Sequence, residues 1–162
     1  MLDLVRSVTQ PQGTLPLPTR ILVLVDRITA HPRLFARLQQ NFPHSHITLL
    51  WVVTPSAVLT WGALLAEPVE ERTHAMLAAL GERMEEAQRR LAPLQRAATA
   101  AGLRLRTTVV HGALAETLVR VARAEHIDHV LIPTGSDYPG QPLPELISQM
   151  RRRLPCPVET LD

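Results

Sequence analysis

The sequence predicts a single α/β domain, a five-stranded parallel sheet in the order 3-2-1-4-5 with helices on both faces, the doubly wound, Rossmann-like arrangement. Two observations predict it. Short apolar runs alternate with helical stretches in the pattern βαβαβαβαβ, which calls for parallel strands joined by right-handed crossovers. Three of the runs, beginning at residues 21, 46 and 129, are apolar throughout, as strands buried on both faces must be, and therefore belong in the centre; an alternating run at 103 and a short one at 157 suit the edges.

Each element has its own signal. Residues 1–19 lack a sustained period and contain Pro11, Gly13, Pro16 and Pro18, so they are expected to form an extension outside a domain spanning 20–162. The run ILVLVD (21–26) ends in an acid and reads as the first strand; a first helix opens at Pro32, a residue suited to a first helical turn. HITLLWVV (46–53) is the second strand. After a loop through Trp61 and Gly62, a long helix is expected from about Val69 to Ala101. Leu77, Leu80, Met84, Ala87, Leu91, Leu94, Ala98 and Ala101 keep a spacing of three to four and define one apolar face, and Pro93 is expected to kink it. LRLRTTVV (103–110) alternates as a half-exposed strand does, and Gly112 ends it. A third helix covers about 114–125, HVLIP (129–133) is the fourth strand, a fourth helix spans 144–153, and PVETL (157–161) is the last strand.

Composition narrows the chemistry. With 162 residues, 46% apolar and 20% charged, the chain can bury a core, and no apolar run approaches the length needed to span a bilayer. No export signal is visible, and a single Cys156 rules out an internal disulfide, so the cytoplasm is the expected compartment and no membrane partner is expected. All 17 basic residues are Arg. Without Lys there is no Schiff-base amine and no lysine-bearing P-loop. The net charge is only +2, with Arg alternating with Glu, so nucleic acid is not an expected partner.

Catalytic motifs are lacking. Ser136 is not in a G-x-S-x-G elbow and Cys156 precedes Pro157 at a strand start, so no nucleophile is nominated and an enzyme is not expected. His44 and His46 would share one face of a strand, but no third ligand lies nearby in sequence, and a metal site is not expected. Arg151, Arg152 and Arg153 fall in the last turn of the fourth helix, where cations complement the helix dipole; that reading is preferred to an anion patch.

In order and spacing, RILVLVD, ITLLWVV, VVHGALAETLVRVARAEHIDHVLI and RRRLPCPVETL resemble the universal stress protein (UspA-like) family over residues 20–162. The resemblance implies the α/β core reasoned above, a homodimer, and either a nucleotide-binding or a nucleotide-free type. The nucleotide-binding type has G-x-x-G, nine residues, then G-[S/T] after the fourth strand. Counted back from Cys156, the final pair falls here on Pro144 and Glu145, while Gly135 and Gly140 are separated by four residues. The loop is therefore expected to be degenerate. Asp26, Val52, Pro133, Gly135 and Ser136 are the positions corresponding to the family's nucleotide pocket. Read on its own, Asp26 fits equally a ribose contact or an acid capping its own turn. Gly135 fits better a tight turn than a ligand approach, and Val52 a core position.

The expectation is a non-catalytic, dimeric stress-response or regulatory module without cofactor, with an unidentified protein partner. Two alternatives stay open: a member binding ATP or AMP, with weak ATPase activity, through a rearranged loop, and a binding domain for another small ligand.

Overall fold

The computed structural model describes residues 19–54, 69–138 and 140–162; the loop through Trp61 and Gly62 and all but the last residue of the expected extension lie outside them. Nine elements follow one another: β1 (Arg20–Val25), α1 (Pro32–Asn41), β2 (His46–Val53), α2 (Val69–Ala100), β3 (Leu105–His111), α3 (Leu114–Ala124), β4 (His129–Pro133), α4 (Leu143–Arg153) and β5 (Val158–Leu161). The strands form one parallel sheet in the order β3-β2-β1-β4-β5. The predicted fold is the observed one.

The continuous apolar runs serve two cores. Because side chains alternate across a strand, β1 sends Leu22 and Leu24 to a core shared with Leu118 of α3 and Leu146 and Met150 of α4. Its Ile21, Val23 and Val25 enter a second core with Leu34 and Leu38 of α1 and Leu91, Leu94 and Ala98 of α2, whose Ala87 is buried as well. Alternating apolar and polar residues would leave one face of the sheet unable to pack.

The long helix departs from expectation at both ends of its apolar face. Leu77 is 61% exposed, Leu80 and Met84 are half-buried, and Ala101 lies past the helix end and is exposed. A helix of 32 residues is about 48 Å long, whereas the longest strand, with 8 residues, covers about 26 Å. Its buried positions therefore begin at Ala87, and the apolar spacing before that residue outruns the sheet. The helix continues through Pro93, which is exposed. The hydrogen bond that Pro93 cannot donate would go to the carbonyl of Arg89, another exposed position open to water.

Helices α3 and α4 are also tied by charge. Arg153 donates from both terminal nitrogens to the Glu116 carboxylate at 2.9 and 3.1 Å, holding that carboxyl below its usual range. Arg151 donates to the Val158 carbonyl of β5 at 3.1 Å. Two of the three arginines at the end of α4 thus have specific partners besides the helix dipole.

Candidate functional site

In a doubly wound sheet, ligands settle at the carboxyl ends of the strands where the winding reverses, here between β1 and β4. Asp26 follows β1 directly, is 8% exposed, and has its carboxylate turned inward. Its Oδ1 accepts from the backbone N–H of Ile28 at 3.0 Å and of Thr29 at 2.9 Å, and from the Thr29 hydroxyl at 2.9 Å. The same hydroxyl accepts from the Asp26 N–H at 2.9 Å. Oδ2 accepts from the Asp137 N–H at 2.7 Å, across 111 positions of sequence. Of the two readings the sequence allowed, the geometry fits the acid that caps its own turn, with an added role of fastening the loop after β4.

Three further amides of that loop are engaged by the protein itself. The N–H of Thr134 donates to the Leu161 carbonyl, that of Ser136 to the Pro133 carbonyl, and that of Gln141 to the Tyr138 carbonyl, at 3.0, 3.1 and 3.0 Å. Gly140 takes φ +75°, a turn conformation that favours glycine. The helix that follows has Pro142 at its N-cap with no side-chain cap, Pro144 in its first turn and Glu145 as its first-turn acid.

Of the five positions singled out in sequence, Asp26, Pro133, Gly135 and Ser136 meet where the turn after β1 touches the loop after β4, and Val52 stands apart. Pro133 and Gly135 line a cavity of about 250 Å³, together with Thr29, His31, Arg33 and Arg37. Val52 lies in the core beneath the other face, 5% exposed, and Asp26 is taken up by its own turn and by the loop. The Ser136 hydroxyl and the Tyr138 hydroxyl are buried and form no hydrogen bond among the described residues. Burial pushes the Tyr138 phenol far up, the Asp26 charge adds to this, and Ser136 works against it, so the two hydroxyls are close without hydrogen-bonding geometry. Sequence reasoning missed Tyr138, since a lone Tyr in a Pro- and Gly-rich loop gives no sign of burial. A buried hydroxyl without a partner carries a desolvation cost. Tyr138→Phe is therefore expected to leave stability unchanged or raise it by up to about 1 kcal/mol; a lowered urea midpoint would show that the phenol has a partner.

Other candidate groups are quiet. Burial raises the Cys156 thiol above its ordinary value, its own backbone hydrogen bond opposes this, and Asp128 adds to it, which disfavours the thiolate. Among the described residues no three His, Cys, Asp or Glu side chains gather as a metal site would need. His46 instead meets Arg104, whose Nη1 lies 2.9 Å from its Nε2. No described helix is long and apolar enough to cross a membrane.

Residues 18–159 match the model of the universal stress protein family. The chain belongs to that family. Among solved structures, it is similar to the universal stress protein UspA from Lactobacillus plantarum at 22% identity and TM-score 0.59, covering 91% of this chain and 100% of that one. A universal stress protein family member from Burkholderia pseudomallei matches at 21% and 0.56, covering 88% and 95%. One from Arabidopsis thaliana, solved with AMP bound, matches at 17% and 0.54, covering 89% and 90%. At these identities the likeness to solved structures speaks for the fold. A search of curated proteins finds no match. As a universal stress protein, the chain places its β4–α4 loop where the sequence resemblance put the nucleotide loop.

Proposed function

We propose that this universal stress protein is a non-catalytic, dimeric stress-response or regulatory module whose loop after β4 does not hold a nucleotide triphosphate. The observation that carries this reading is the direction of the loop's amides. A phosphate cradle needs backbone N–H groups aimed outward at the start of a helix. Here those of Thr134, Ser136, Asp137 and Gln141 bind groups of the protein itself, Pro142 and Pro144 have none, and exposed Glu145 adds a like charge. The buried Ser136 hydroxyl and the raised Cys156 thiol offer no activated nucleophile. Calorimetry at millimolar ATP is expected to show no binding. A dissociation constant below about 10 μM, equivalent to roughly 7 kcal/mol, would overturn the reading.

The AMP-bound Arabidopsis relative favours a second reading, a rearranged site for AMP. The 250 Å³ cavity has two arginines to meet a monophosphate but lies below the range of about 300–1,000 Å³ usual for small-molecule pockets. AMP titrated in the same calorimetric experiment decides between them.

The dimer rests on β5, a four-residue edge strand paired on one side with β4. Exposed edges are commonly covered, and a second copy of the chain is the simplest cover. Glu159 is exposed, its Oε2 lying 3.3 Å from His129 Nε2 without hydrogen-bonding geometry. Light scattering at micromolar concentration is expected to give twice the chain mass, and a monomer would count against the assembly.

A further inference from the structure

A larger cavity, of about 640 Å³, opens at the opposite end of the sheet, where the strands begin. Its lining is basic. Strand register aligns Arg20 with His46, and Ile47 with Leu105, which puts Arg104 beside His46 in the same row. Arg20, His46 and Arg104 therefore stand side by side across β1, β2 and the start of β3. Thr48 and Arg106 form the next row on the same face, since side chains two apart share a face.

Three arginines, Arg20, Arg104 and Arg106, border the cavity, and this cluster has one lining carboxylate to offset them. That carboxylate, Glu125 at the end of α3, pairs with Arg106 and accepts from the Thr48 hydroxyl at 3.3 Å. Arg106 also donates to that hydroxyl at 3.3 Å. Among the described residues, neither the Arg20 nor the Arg104 guanidinium forms an ion pair. Arg20 donates to the Glu125 backbone carbonyl at 3.1 Å and Arg104 meets the His46 ring. Asp128 nearby is engaged by the Arg20 backbone N–H at 2.9 Å. Two guanidinium groups, each with further donors, thus flank an imidazole at the mouth of an open cavity.

We propose that this cavity binds a compact polyanion of the diphosphate class, with Arg20 and Arg104 as its principal ligands and His46 between them. The fit is chemical and spatial. Guanidinium forks bind phosphoryl oxygens in pairs, and across two strand spacings their backbones stand about 10 Å apart, within convergent reach of a two-headed anion. The cavity volume falls inside the usual ligand range and leaves room for an organic group on the diphosphate. It also lies at the other end of the sheet from the β4–α4 loop, so the proposal does not depend on how that loop is read.

The test is calorimetry of the full chain with sodium pyrophosphate, at ionic strength matched with sodium chloride. A dissociation constant of about 1 mM or tighter is expected. Arg20→Gln and Arg104→Gln, which shorten exposed side chains, should each weaken binding about tenfold or more, while Arg33→Gln and Arg37→Gln at the other end should leave it unchanged. In the unaltered protein, the His46 ring resonances should shift along the same isotherm, a readout that needs no variant. Absence of both heat and shift at 10 mM pyrophosphate, on the order of ten dissociation constants, would overturn the proposal. So would binding that follows Arg33 and Arg37 instead of Arg20 and Arg104.

Discussion

Asp26→Ala is expected to destabilise the protein by about 3 to 5 kcal/mol, because it strips a buried carboxylate from several donors at once. The Ile28, Thr29 and Asp137 amides and the Thr29 hydroxyl all lose their acceptor. For a domain of this size the melting temperature should fall by roughly 10 °C. Asp26→Asn should fall in between: its one amide oxygen can serve the turn, but its NH₂ then faces the Asp137 N–H, donor against donor. Urea unfolding of both variants separates the roles that sequence left open. An acid held for a ligand would lose binding and keep its fold, with less than about 1 kcal/mol of change. The turn-and-loop clamp loses its fold stability first, and with it the fixed position of the β4–α4 loop.

The fold was legible because it rests on local pattern. Continuous apolar runs marked β1, β2 and β4 as strands with two buried faces, and their separate service to two cores shows why no alternating pattern was possible there. The α2 stripe was read too far, since spacing reports a face of the helix and not how much sheet lies beneath it. The site was less legible for a different reason. The acceptor for Asp137 lies 111 positions away, and the row of Arg20, His46 and Arg104 exists only once register is fixed. In sequence, His46 drew notice beside His44 as half of a metal pair; in space its neighbours are arginines. Pro144 and Glu145 were legible as departures at a helix start because both act locally, one through a missing N–H and the other through charge.

The same limit applies to Gly112, which reads in sequence only as the end of a strand. It has φ +147°, a conformation L side chains rarely adopt, and an added Cβ would sit 2.6 Å from the Thr117 hydroxyl oxygen. Thr117 cannot yield easily: it is 2% exposed, lies in the first turns of α3, and is β-branched, with few rotamers open to it in a helix. Meanwhile the Gly112 N–H donates to the Val53 carbonyl at 3.1 Å, so a backbone shift that relieved the contact would loosen the carboxyl ends of β2 and β3. Gly112→Ala is accordingly expected to cost about 2 to 4 kcal/mol, from strain and overpacking together. A double variant separates the two causes. With Thr117→Ala added, the contact disappears while the φ strain stays, so about half of the loss should return, measured against Thr117→Ala alone in urea unfolding. Full recovery would assign the whole cost to packing. No recovery would assign it to the backbone, and would mean that the turn from β3 into α3 is specified by glycine's conformation and not by the threonine packed against it.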